Sequence, residues 1–169
     1  MTIYSTSAEH LLFDAARRGD IEYLKQRIAE GADLNIRDDR GFSPLVLASY
    51  DGHEEATRLL LEAGAGPNAQ DNGGNTALMG VSFKGYPAIA KLLIKYGADL
   101  NRKSSNGYTA LMFATLFGRN ELVKLLLEQG ADETIKDLQG LTASDIAHQQ
   151  GNQEAISIFN KSAKTSTEQ

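Results

Sequence analysis

Cysteine and tryptophan are absent from this 169-residue chain, proline occurs three times, and Phe, Trp and Tyr together make up 7% of it. Without cysteine there is no disulfide, no thiolate metal site and no cysteine nucleophile, and the redox compartment leaves no mark. With so few aromatic residues, a core has to be assembled from aliphatic side chains. No apolar run approaches the roughly 20 residues that cross a bilayer. The start, MTIYSTSAEHLLFDAARRGD, also lacks a basic segment followed by a long apolar one. The expectation is a soluble cytoplasmic protein, or a periplasmic one if a signal peptide has been removed. Positive charge is in deficit as well. A net charge of -5 and a pI near 5.2 argue against nucleic acid as the default partner, since phosphate binding needs net or clustered Lys and Arg.

What the chain does have is a period. The triplets Gly31-Ala32-Asp33, Gly64-Ala65-Gly66, Gly97-Ala98-Asp99 and Gly130-Ala131-Asp132 fall 33 residues apart each time. A second glycine series, Gly19, Gly52, Gly85, Gly118 and Gly151, keeps the same step, and so does a third, Gly41, Gly74, Gly107 and Gly140. Three glycine registers locked to one spacing, without insertion or deletion, mark a tandem array.

The chemistry of one period predicts two helices and a turn. Ser43, Thr76, Thr109 and Thr142 place a hydroxyl where a helix N-cap is wanted, and Pro44 takes a favoured first helical position. The second glycine series ends this short helix by admitting positive φ. The next segment, YPAIAKLLIKYG in one unit, sets Ile89, Leu92, Leu93 and Tyr96 along one helical face, and Leu122, Leu125 and Leu126 do the same one unit later. A second helix, antiparallel to the first, therefore ends at the Gly-Ala glycine. Polar stretches such as GADLNRKSSNGYT then link one unit to the next through turns or hairpin-like fingers.

A unit of this kind resembles the ankyrin repeat, whose pattern runs Asp, two variable residues, Gly, one variable residue, Thr-Pro-Leu, then a glycine, Leu-Leu and Gly-Ala-Asp. DDRGFSPLVLASYDGHEEATRLLLEAGAGPNAQ is the fullest copy, followed by DNGGNTALMGVSFKGYPAIAKLLIKYGADLNRK and SSNGYTALMFATLFGRNELVKLLLEQGADETIK. The resemblance covers nearly the whole chain. It implies an all-α solenoid of stacked antiparallel helix pairs with β-hairpin-like finger loops, in about five repeats at 5–37, 38–70, 71–103, 104–136 and 137–160. The divergent first and last units look like the caps such arrays need. The TALM and FKG wording is similar to bacterial ankyrins, some of which accompany and protect or regulate a neighbouring enzyme or toxin. The histidine that usually follows Thr-Pro-Leu is replaced here by Val46, Met79, Met112 and Asp145, and Gly80 weakens its helix by about 1 kcal/mol relative to Ala.

Catalytic constellations do not assemble from this pattern. His10, His53 and His148 are far apart in the register, and the last two are separated by several helix layers of roughly 8 to 10 Å each. Asp38 and Asp71 recur as turn cappers, and Glu54-Glu55 opens a helix where the dipole favours anions. No nucleophile elbow or phosphate-cradling loop occurs. The expectation is a non-enzymatic chain with no cofactor and no metal.

Binding fares better, because repeat arrays offer an extended concave face. The resemblance implies that the residues flanking each turn glycine, the two before each helix-ending glycine, and the one before each turn aspartate face that groove. Of these, Arg37, Arg40, Phe42, Tyr50, Phe83, Lys84, Lys103, Tyr108, Leu116 and Phe117 are the candidate partner contacts. Among all the groove positions, seven bases (Arg17, Arg18, Arg37, Arg40, Lys84, Lys103, Lys136) face two acids (Asp39, Asp51) in a chain whose total is -5. Phe83 and Phe117 lie well off the stripes Leu78, Val81, Ser82 and Leu111, Ala114, Thr115 that the helical repeat turns inward, at about 100° per residue. Aromatic residues beside Arg are what interface hot spots are usually made of. The sequence thus predicts a monomer that grips one protein with an acidic surface; a polyanion or single-stranded nucleic-acid binder is the alternative. The end, KSAKTSTEQ, is polar and unpatterned, and disorder is expected over 161–169.

Overall fold

The computed structural model describes residues 7–167, and within them it contains ten helices and no strand. They are α1 (Ser7–Arg18), α2 (Ile21–Ala29), α3 (Pro44–Tyr50), α4 (Glu54–Glu62), α5 (Ala77–Lys84), α6 (Pro87–Lys95), α7 (Ala110–Leu116), α8 (Asn120–Glu128), α9 (Ala143–Gln150) and α10 (Gln153–Thr167). Odd-numbered helices stack on one another as an inner row and even-numbered ones as an outer row, each inner helix also packing on the outer helix that follows it. Five helix pairs form a solenoid in which a layer touches only its neighbours. Residues 5 and 6 of the expected first repeat lie outside the described residues.

The start signals act as expected. The hydroxyls of Ser43, Thr76, Thr109 and Thr142 accept from the amides of Val46, Met79, Met112 and Asp145. Small polar residues also sit inside the inner row. Ser82 and Thr115 are buried, yet each donates back to a carbonyl of its own helix, to Leu78 at 2.7 Å and Leu111 at 2.8 Å, so no polar group is stranded. The core they join is aliphatic: Leu45, Leu60, Leu78, Leu93, Leu111 and Leu126 are among its fully buried members.

The helix-ending glycines have a second use that the register alone does not reveal. Gly85 has φ +89°, and a Cβ placed there would stand 2.9 Å from Cδ of Arg119 in the next layer. His53 and Tyr86 lie the same way over Gly19 and Gly52. Gly19, Gly52 and Gly85 thus each end one helix and leave room for a large side chain of the following unit, whereas nothing lies within 4 Å of a Cβ placed at Gly118 or Gly151. That large side chain ties the layers together: His53 Nε2 lies 2.7 Å from the carbonyl of Arg17, and Arg119 Nε donates to that of Phe83 at 3.0 Å.

The fingers are stacked turns rather than strands. Asp38 accepts from the amides of Arg40 and Phe42, Asp71 from Gly73 and Asn75, and Asp137 from Gln139 and Leu141. Neighbouring fingers join through the amides of Asn72 and Ser105, which donate to the carbonyls of Arg40 and Gly73.

At the C-terminal end α10 runs through Thr167, over part of the stretch 161–169 for which disorder is expected from composition. Its apolar positions Ala155 and Phe159 are buried, whereas Ala163, next on that spacing, is exposed and shares with Phe159 the lining of a hollow beside Thr134, Thr142 and Ser144. Residues 168–169 lie outside the described ones.

Candidate functional site

A row of aromatic rings runs along the C-terminal ends of the inner helices. Tyr50 ends α3, Phe83 is the last residue but one of α5 and Phe117 directly follows α7, so successive layers bring their rings side by side. Tyr50 and Phe83 stack with centroids 6.1 Å apart and planes within 5°, and Phe83 meets Phe117 edge-on at 4.4 Å. Tyr108 and Phe113 form a second edge-on pair at 5.6 Å. The ends of the main row are open, with Tyr50 39% and Phe117 42% exposed, whereas Phe83 between them is half-buried. Phe117 is thus the more open of the two phenylalanines and Phe83 the more enclosed. Lys84 places its Nζ 5.0 Å from the Tyr50 ring centre, which adds a cation to the row.

Gly80 opens a concavity beside this row. About 400 Å³ in volume, it is lined by Phe42, Tyr50, Phe83 and Phe113, by Val46, Leu47 and Met79, and at its rim by Arg40, Asp71 and Asn75. A Cβ on Gly80 would stand 3.2 Å from Cδ2 of Tyr50, so the absent side chain lets that ring lie close against α5 on one wall of the hollow. Phe42, Tyr50 and Phe83 were expected on this face. Phe113, Met79 and Val46 were not, because each lies outside the groove positions that the resemblance supplied. A comparison between units would have found the spot: on the 33-residue step the counterparts of Gly80 are Asp14, Leu47, Phe113 and Ile146.

The cations are less uniform than their positions imply. Arg37 and Lys103 are exposed, yet each donates to the carbonyl of the residue one period ahead, Arg37 to Gln70 and Lys103 to Lys136, both at 2.9 Å. Gln70 fills the step between them, donating to Lys103 at 3.0 Å. One side chain per layer therefore splices the solenoid along its finger bases. Arg17 pairs with Asp38 at 3.4 Å. Arg40 makes no ion pair with any described residue, and Leu116 is half-buried with its carbonyl accepting from Gln150.

The three histidines stay apart: His53 is bonded to Arg17 as above, His148 Nδ1 lies 2.8 Å from the carbonyl of Ser144, and His10 is exposed on α1. No group of His, Asp and Glu among the described residues has the geometry to hold a metal ion, and no described helix is long and apolar enough to cross a membrane.

A stack of helix pairs joined by capped-turn fingers, with its apolar side chains displayed along a concavity, defines a repeat-solenoid protein. A family model described as ankyrin repeats (3 copies) matches residues 12–104 and again 81–168, and the chain belongs to that family. It is similar to an ankyrin repeat protein of Pseudomonas aeruginosa, 46% identical over 50 residues, which is 30% of this chain and 29% of that one. It is also 42% identical over 62 residues to BTB/POZ domain-containing protein 3 of Schizosaccharomyces pombe (36% of this chain, 12% of that one). Over 59 residues it is 41% identical to protein phosphatase 1 regulatory subunit 12A of Mus musculus (35% of this chain, 6% of that one). The chain thus spans less than a third of the length of each of these relatives.

Proposed function

We propose that this chain is a non-enzymatic interaction module that binds one partner protein through its concave face, in an adaptor, inhibitory or immunity, or enzyme-protecting role. The observation that carries this is the row Tyr50, Phe83 and Phe117, with Lys84 against it: apolar rings displayed at positions the solenoid does not need for its own core. Rings already packed on one another are rigid, and rigid aromatic residues lose little entropy when a partner covers them. One similar protein is, by its name, a regulatory subunit of a phosphatase, which supports a regulatory role for this chain as well.

Unpaired Arg40 and the cations around it favour an acidic partner surface, approached faster at low salt. The test is affinity capture from the organism that encodes the chain, using the native protein beside a Tyr50→Ala, Phe117→Ala double variant, followed by association kinetics of the purified pair. A one-to-one complex that the double variant loses, with an on-rate that falls as salt rises, is the expected result. A partner held equally by the variant sinks the proposal. Tight binding of arbitrary single-stranded oligonucleotides with a steep salt slope would replace it by the polyanion reading.

A further inference from the structure

The concavity at Gly80 differs from the aromatic row in that its shape selects what enters it. We propose that it is an anchor pocket taking one bulky apolar side chain of the partner, Leu, Met or Phe, whose neighbour in the partner's chain is an acidic residue that pairs with Arg40. This rests on the concave-face reading above and names the chemistry recognised there.

Position 80 holds glycine where three other units hold Leu47, Phe113 and Ile146 and the first holds exposed Asp14. The backbone does not ask for it, since Gly80 lies inside α5 and is not among the glycines with positive φ, and glycine weakens a helix interior. What the glycine does provide is space. With no side chain in this one layer, an apolar hollow opens between Phe42, Tyr50, Phe83 and Phe113, floored by buried Met79. Pockets of this kind, apolar inside and wet at the edge, are where interface hot spots seat their anchors.

The rim supplies the sign of the neighbouring charge. Asp71 is at the rim too, but its carboxylate already accepts from the amides of Gly73 and Asn75 and from the Asn75 side chain. The Arg40 guanidinium pairs with no described acid. Lys84, beside the opposite wall at Tyr50, has the same sign. The unanswered charge at the mouth is therefore positive, and the occupant's neighbour is Asp or Glu.

Panning a displayed library of random linear peptides on the intact protein, then measuring an enriched peptide by fluorescence anisotropy against variants, tests this. Gly80→Leu fills the hollow with a residue type that the equivalent position already carries in another unit. Enriched peptides are expected to carry Leu, Met or Phe beside Asp or Glu, and Gly80→Leu, whose Cβ displaces the Tyr50 ring, to weaken them at least about tenfold while the protein stays folded. Arg40→Gln is expected to weaken binding less and to flatten its salt dependence. Should Gly80→Leu fail to fold, Gly80→Ala, which presses only on the Tyr50 ring edge, is expected to weaken the same peptides severalfold. Peptides lacking that residue pair, no enrichment, or binding unchanged by the Gly80 variants overturn the pocket. If Phe117→Ala still abolishes binding in that last case, the concave-face proposal survives, and indifference to every groove variant removes both. A dimer of this chain that Gly80→Leu dissociates would make a second copy the occupant and overturn it as well.

Discussion

Phe83 is the middle ring of the aromatic row. Its ring is flanked by Tyr50 and Phe117, so its removal strips contacts from both, while Phe117, at the open end of the row, has a contact on one side only. Aromatic pairs of this sort contribute about 0.5–1.5 kcal/mol beyond the area they bury. Phe83→Ala is therefore expected to cost about 2 kcal/mol in urea unfolding and Phe117→Ala under about 1 kcal/mol. Equal losses would show that the row is not held as described. A second residue with a readable signature is Asp145. The Thr142 amide, and after it the Thr142 hydroxyl, donate to its carboxylate and hold its pKa below the usual carboxylate value. Because the folded pKa is depressed, the contribution is complete above the ordinary value and fades as pH falls through it towards the lower folded one. Thermal midpoints of Asp145→Asn are thus expected to lie below those of the native chain at neutral pH and to converge on them in acid.

At the scale of the element, the turns decide more than the helices. Gly74 and Gly97 both have positive φ, +75° and +91°, so alanine at either bears the left-handed penalty of about 1–2 kcal/mol. Gly74 lies against the next finger as well: an added Cβ would sit 2.8 Å from the amide nitrogen of Ser105, while nothing lies within 4 Å of one at Gly97. Gly74→Ala should therefore lose clearly more stability than Gly97→Ala, and equal midpoints would mean that the fingers yield freely. The glycine registers were legible in the sequence, as were the N-cap hydroxyls and the inward stripes, because each is a local demand repeated in several layers. What was not legible depends on a difference between layers. Gly80 reads as a weak spot in a helix until its neighbours Tyr50 and Phe113 are placed around it, and Arg37 and Lys103 read as free cations until the carbonyls one period ahead are seen to accept from them.

At the scale of the molecule, connectivity through nearest neighbours governs how stability is distributed. α5 packs on α3 and α7, and α6 on α4 and α8, so a central layer is held from both sides, whereas α1 with α2 and α9 with α10 are held from one. The splice Arg37, Gln70, Lys103 follows the same logic, each side chain reaching one layer forward and none further. In such a chain, free energy is roughly a sum of unit and interface contributions, and opening begins at the ends. Amide exchange in native conditions is expected to be slowest in α5 to α8 and fastest in α2 and α10. Leu78→Ala, in the middle of the inner row and 1% exposed, removes about 2–5 kcal/mol from a residue that serves both flanking interfaces. Its consequence should therefore extend beyond its own unit. Exchange in α3 and α7 is expected to quicken together with that in α5, while α1, separated by a further layer, changes less. If all ten helices quicken equally, the array opens as a single cooperative body, and the layer-by-layer account of its stability is wrong.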